Sequence, residues 1–303
     1  MNKDEIISYN YQNAINRNIG LFSESEQELL NQSVVGIAGV GAVGGNYLIT
    51  LARMGISHFK IADLDIFEEA NLQRQAGAFI SSLNKPKVMV MSEMVLDINP
   101  NAKVQTFNEG ITEKSIDAFL SGLDIVLDGI DAFQIGPRRL LYKKAREKGI
   151  FVLISAPKAY GATLQVFDPK GMSFEDFFGI RENMSRAEQI AAFLLGIAPL
   201  KKLKYNIDEA KIDFETEKAP ALASTVALST GIMTSTILKF LLKRERPLCV
   251  PHAFYFDAYH WHFVHSKSKP FRFRWVQKLV IRSCFNRFPS LKSLHLRELS
   301  KIN

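Results

Sequence analysis

Apolar positions along this chain fall into short continuous runs separated by stretches with helical spacing, and the alternation starts at residue 34. Val34 to Ala38 is one such run, a helical pattern then extends through Arg53, and a second apolar run ends at Asp63. Short apolar runs bounded by turn residues predict strands buried on both faces, whereas apolar residues three and four apart predict helix. The same alternation predicts a helix from Pro86 to Ile98, a strand from Lys103 to Phe107 and a short helix from Ser115 to Leu120. It continues with a strand from Asp124 to Leu127, a helix from Arg138 to Lys148, and strands from Ile150 to Ser155 and from Tyr160 to Phe167. Asn99 before Pro100 ends the first of these helices. Strands alternating with helices in this way predict an α/β fold with a doubly wound, mostly parallel, Rossmann-like sheet.

Either side of that region the pattern changes. A polar lead precedes a helix capped by Ser23 or Ser25. Beyond the turn at Asp168-Pro169, an amphipathic helix capped by Ser185 is followed by the charged stretch 201–218. Thr225 to Leu242 holds 18 residues with one charge, long enough to cross a bilayer, but Ser, Thr and Lys recur along it, so a buried helix is expected. His252 to His265 alternates as two antiparallel strands with Ala258 near the turn. The expected organisation is a nucleotide-binding domain over 1–170, a variable insert over 171–220, a helix and antiparallel strands over 221–266 completing that domain, and a tail over 267–303.

Charge separates the tail from the rest. The net charge of +7 conceals a nearly neutral body. Residues 267–303 carry ten Lys or Arg against the single Glu298, which points to an anionic membrane surface or RNA as a partner of this segment. Within Arg274 to Arg287, Trp275, Leu279, Ile281 and Phe285 supply apolar area beside Arg274, Lys278, Arg282 and Arg287, a mixture suited to a helix lying on such a surface. No apolar signal core is visible in the first residues, so a cytoplasmic protein, peripheral at the membrane through its tail, is expected. Cys249 and Cys284 are the two cysteines, too few for a disulfide framework or a four-thiolate zinc site. The four histidines between His252 and His265 are expected as packed or surface residues rather than metal ligands.

Candidate chemistry begins where the first strand ends. Gly39-x-Gly41-x-x-Gly44 lies between a predicted strand and a predicted helix: the first glycine permits a tight turn, the second lets a phosphate approach bare backbone, and the third lets helix and strand pack closely. Amides at the helix start then face an anion. Asp63 ends the second strand, where a carboxylate can accept hydrogen bonds from a ribose. These features alone indicate a nucleotide, and an NAD-dependent oxidoreductase shares them. The residues that follow, Asp65, Asn71, Arg74 and Gln75, suit a triphosphate instead.

The segment DLDIFEEANLQRQ resembles the pattern D-x-D-x-(V/I)-x-x-(S/A)-N-L-x-R-Q of the ThiF/MoeB/HesA family, the bacterial relatives of ubiquitin-activating enzymes. The resemblance covers residues 11–168 and, more loosely, 221–265. It implies ATP-dependent adenylation of a carboxylate, most simply the C-terminus of a peptide or small carrier protein, with release of pyrophosphate. Under it, Arg74 with Asn71 meets the outer phosphates, Lys87 neutralises the α-phosphate, and Asp131 in DGIDAF holds magnesium. Gly39, Gly41, Gly44, Asp63, Asp65 and Gln75 complete the nucleotide site. Arg17 matches a family arginine that reaches the partner's triphosphate, so a homodimer is implied, with the helix from Thr225 facing the partner. The chain departs from the family in lacking the zinc cysteines and the crossover cysteine, so neither zinc nor a thioester is expected. A non-catalytic module that kept the fold is the remaining alternative.

Overall fold

In the computed structural model, residues 8–197, 208, 211–267, 269 and 273–300 are described. The start of the charged stretch, 201–207, lies outside them, as do residues 268 and 270–272 of the tail. Ahead of the sheet come α1 (Tyr11–Ile15) and α2 (Glu24–Gln32). Ser23, one of the two expected caps, closes a capping box with Glu26 at the start of α2.

The doubly wound half follows as β1 (Val34–Ala38), α3 (Ala42–Arg53), β2 (His58–Ala62), α4 (Lys87–Ile98), β3 (Lys103–Phe107), α5 (Ile116–Leu120), β4 (Ile125–Asp128), α6 (Ile135–Glu147) and β5 (Phe151–Ile154). Then come β6 (Pro157–Lys158), β7 (Gly161–Phe167), α7 (Phe174–Phe178), α8 (Arg186–Gly196), α9 (Ala223–Leu241), β8 (Ala253–Asp257), β9 (His262–Ser266), α10 (Arg274–Arg287) and α11 (Pro289–Ser300). The sheet runs β3-β2-β1-β4-β5-β7-β8-β9, with β6 paired to β7. From β3 to β5 all pairings are parallel, and from β5 to β9 all are antiparallel. Every residue of β7 is buried, as a strand at this changeover must be when helices cover both faces.

Two apolar layers sandwich the sheet. On one face lie Tyr47, Leu48 and Leu51 of α3, Val88 and Met91 of α4, and Met233 and Ile237 of α9. The other holds Phe119, Leu141, Phe174, Phe177, Phe178, Ile190 and Phe193, joined by Ile281 of α10 and Leu291 of α11. Helix α9 therefore packs on α3 and β7 as a layer of the fold. Thr230 and Thr234 satisfy their hydroxyls on the carbonyls one turn back, and Ser229 bonds the buried Ser155, which Tyr47 also reaches.

Helix α6 begins three residues before its expected start, and this matters for the site. The earlier start places Arg138 inside the first turn and points it inward, where 1% of it is exposed. Its Nε donates to Asp128 Oδ2 at 2.8 Å, one Nη donates to the carbonyl of Asp131 at 3.1 Å, and the other to that of Ile130. The guanidinium also lies 4.3 Å from the centre of the Phe193 ring. Tyr142 donates to the same Asp128 oxygen and the Ile130 amide donates to the other. One buried arginine thus fixes the whole loop that leaves β4.

Two outcomes follow from these contacts. Replacing Arg138 by Met strands a buried carboxylate, and urea unfolding should show a loss of about 3–5 kcal/mol; adding Asp128→Asn removes the stranded charge and should recover a large part. At the other end of the sheet, Arg244 and then the Ser23 amide hold the Glu26 carboxyl down from 4.5 to about 2. A depressed carboxylate stabilises the fold above its ordinary value and loses that contribution as pH falls toward the folded value. Glu26→Gln should therefore flatten the acid limb of stability between pH 4.5 and pH 2, measured as the thermal midpoint against pH.

Candidate active site

The site is assembled at the carboxyl ends of β1, β2 and β4, where backbone segments touch with no side chain between them. Gly39 has φ +84, and a Cβ there would lie 2.4 Å from the Gly129 carbonyl oxygen. A Cβ on Gly44 would lie 1.8 Å from the Gly39 oxygen. Only glycine allows this approach at either place. Gly41 caps α3 without a side-chain hydrogen bond, and helix N-terminal amides left without a cap can receive an anion.

Asp63 leaves β2 beside this turn. It accepts from the Val40 amide at 2.8 Å and the Asp65 amide at 2.9 Å, which pins the glycine turn to the end of the next strand. Burial lifts its carboxyl above the ordinary range, against the pull of Lys87. Lys87, 6% exposed at the first position of α4, donates to Asp65 Oδ2 at 2.9 Å. An ammonium at a helix N-terminus is unfavourable by itself, and Asp65 is the anion that offsets it.

The segment after Asp65 is a tight 3-10 turn rather than an open loop. Asn71 is buried and accepts from the Glu68 amide at 3.0 Å, so its side chain shapes the turn. Arg74 donates back to the Ala70 carbonyl at 2.9 Å. Gln75 is buried over Gly41, with its amide atoms 3.6 Å from where a Cβ of that glycine would stand. Its Oε1 is buried with no hydrogen-bond partner among the described residues. An orphaned amide oxygen against a bare glycine turn fits a site shaped for a polar ligand.

Asp131 closes the ring from β4. The residue is exposed, yet loss of water to the protein around it is the first cause that lifts its carboxyl. The Phe133 amide, 3.0 Å away, and Arg138 oppose the shift, while Glu217 and Asp65 add to it. The Asp65 carboxylate therefore bears on Asp131 across the site. Glu217, in the insert, accepts from Gln134 at 2.6 Å and from Arg186, which also donates to the Phe133 carbonyl at 3.2 Å. Gln73 reaches the Ala221 carbonyl at 3.3 Å. The insert thus ties to the Asp131 loop, and the residue just beyond it to the turn that bears Arg74.

Gly39, Gly41, Gly44, Asp63, Asp65, Asn71, Arg74, Gln75, Lys87 and Asp131 all lie on the segments that meet here. Arg17 does not: it is exposed on a 3-10 turn before α2 and bonds none of these residues. Sequence reasoning missed Arg138, Glu217 and Arg186, since an arginine in a basic helix and ions in a charged stretch carry no local signal. Cys249 is half-buried, and burial raises its thiol, the opposite of what activates a nucleophile. Of the histidines, His252 and His265 pair at 2.9 Å and His260 bonds Asp257.

The chain resembles known proteins in sequence and in fold. The chain is 30% identical over 176 residues to a probable molybdopterin-synthase adenylyltransferase of Porphyra purpurea, covering 57% of this chain and 46% of that protein. It is 36% identical over 105 residues to a tRNA threonylcarbamoyladenosine dehydratase of Bacillus subtilis, covering 34% and 41% respectively. The chain thus spans less than half the length of either relative. Its fold resembles the crystal structure of PaaA with a TM-score of 0.64 at 19% identity, over 88% of this chain and 77% of that one. A family model described as the ThiF family matches residues 15–272, taking in the glycine turn, the Arg74 turn, the Asp131 loop and the antiparallel strands, and the chain belongs to that family.

Proposed function

We propose that the protein catalyses ATP-dependent adenylation of a carboxylate, at the C-terminus of a peptide or small carrier protein. The observation that carries this reading is the set of groups beyond Asp63. A dinucleotide site needs the glycine turn and a ribose carboxylate, but here Gln75, with its orphaned oxygen, Lys87 on Asp65, and Asp131 add groups suited to a triphosphate, which supports the ATP reading. The adenylyltransferase among the relatives points the same way. NAD-dependent oxidation leaves these groups without a task.

In the proposed reaction, an acceptor carboxylate oxygen attacks the α-phosphorus of ATP. The new bond is an acyl–phosphate linkage, the bond from the α-phosphorus to the oxygen shared with the β-phosphate breaks, and pyrophosphate leaves with that electron pair. No proton need move; the barrier lies in bringing two anions together, so positioning and charge neutralisation dominate. The amides after Gly41 receive phosphate oxygens, Asp63 the ribose, and Asn71 and Arg74 the outer phosphates. Lys87, held on Asp65 at 2.9 Å, supplies positive charge at the α-phosphate. Asp131, with Asp65 nearby, would hold a magnesium ion, which when bound supplies positive charge against the phosphates.

Arg17 completes the site only from a second copy, since within its own chain it reaches none of these groups. Exposed apolar side chains near the site, Phe79 at 54% and Ile80 at 76%, are consistent with a homodimer that covers them.

Calorimetric titration separates the readings: ATP with magnesium should bind and NAD should not, and NAD binding without any response to ATP overturns adenylation. Asp131→Ala should lower acceptor-dependent pyrophosphate exchange by about 100-fold or more, the scale of losing an electrostatic group in a reaction centre, with the thermal midpoint preserved. For the dimer, Arg17→Ala and Asp131→Ala chains, each weak alone, should regain activity when mixed, because one hybrid site carries both residues. Subunit exchange without recovery means that Arg17 does not act across a dimer. Cys249→Ser should leave exchange activity intact.

A further inference from the structure

The four apolar residues of the tail's basic segment do not act together. Ile281 is buried, and Phe285 is half-buried and stacks on His295 with ring centres 4.6 Å apart. Gln277, Ile281 and Cys284, spaced four and three apart, form the inward stripe of α10. Gln277 donates to the carbonyls of Phe178 at 3.0 Å and Gly179 at 3.1 Å, which locks that stripe onto the end of α7. Helix α10 therefore has a fixed orientation on the body, and its other side is defined by elimination.

That other side has the same periodicity with the opposite environment. Trp275, Leu279 and Arg282, again four and three apart, face solvent, with Trp275 at 65% and Leu279 at 59% exposure. Phe273, 51% exposed, stacks beside Trp275 with ring centres 6.5 Å apart. Arg274 and Lys278 flank the stripe, and among the described residues neither they nor Arg282 form an ion pair. The one acid of the tail, Glu298, is turned the other way and accepts from the Ala187 amide at 3.2 Å. The outward surface thus combines large apolar side chains with cations and has no anion of its own.

We propose that this outward face of α10 is a docking surface for an anionic lipid membrane. Charge complementarity selects an anionic partner, and the apolar stripe selects lipid within that class. An RNA backbone has use for the cations, but Leu279 offers it neither a charge nor a stacking face, and fixing an aliphatic side chain in water beside phosphates gains nothing. At a bilayer surface Trp275 and Phe273 suit the headgroup boundary, Leu279 reaches the acyl region, and the flanking Arg and Lys meet lipid phosphates. Because the inward stripe already holds α10 on the fold, the protein would bind as a folded unit, and the contact is independent of adenylation.

Cosedimentation of the full chain, without nucleotide, tests this with vesicles of phosphatidylcholine alone and of phosphatidylcholine mixed with phosphatidylglycerol. Two variants keep the inward stripe intact: Trp275→Ser with Leu279→Ser, and Arg274→Gln with Lys278→Gln and Arg282→Gln. The parent should bind the anionic vesicles, weakly or not at all the neutral ones, and less as salt rises. Removing three cations should weaken binding about 100-fold at low salt, and removing the two apolar chains at least about tenfold, with thermal midpoints equal to the parent's. The proposal is overturned if the parent fails to sediment with anionic vesicles at low salt or if either variant binds them as well as the parent. It is equally overturned if the protein binds poly(U) but not vesicles, or if the variants alter only its self-association.

Discussion

The contact between bare backbones at Gly39, Gly44 and Gly129 is the constraint on which the rest of this structure depends. Each would place a Cβ within 2.4 Å or less of a neighbouring carbonyl oxygen, so the turn after β1, the first turn of α3 and the loop after β4 meet at a distance no side chain permits. This contact brings the amides of α3 next to the loop that bears Asp131. It also sets where Asp63 must stand to accept from the Val40 amide. The glycine turn after β1 and the loop that bears Asp131, from distant parts of the chain, become neighbours because nothing intervenes.

Around that contact the fold distributes charge in pairs. Lys87 rests on Asp65 and Arg138 on Asp128, and Arg186 rests on Glu217. The Arg138 pair is fully buried and fully hydrogen-bonded, the condition under which a buried ion pair is tolerated. The other two pairs are partly open, and burial leaves the Asp63 and Asp131 carboxyls raised. Cations seated on carboxylates beside further carboxylates with raised affinity for protons are the electrostatic setting on which the proposed ATP reading rests. The insert takes part through Glu217, which accepts from Gln134 and Arg186, and Ala221 just beyond it accepts from Gln73, so this part of the chain borders both the Asp131 loop and the turn that bears Arg74.

What the sequence by itself determined is local. The run Val34–Ala38, the glycine spacing and the helix through Arg53 specify strand, turn and helix because apolar periodicity and glycine's freedom act within a few residues. Lys103–Phe107 and the Ser185 cap are legible for the same reason. The glycine turn with Asp63 and Asp65 follows from one contiguous segment, which is why their types could be read without a structure. Tertiary structure decided everything that depends on a partner far along the chain. Arg138 stands in a basic helix indistinguishable from a solvated one, and only the Phe193 ring and Asp128 make it a buried clamp. Trp275 and Ile281 belong to the same apolar segment, but the docking of α10 on α7 and α8 sends one outward and the other into the core. Burial, ion pairing and orientation are properties of surfaces that meet only after folding, and no spacing within a segment encodes them.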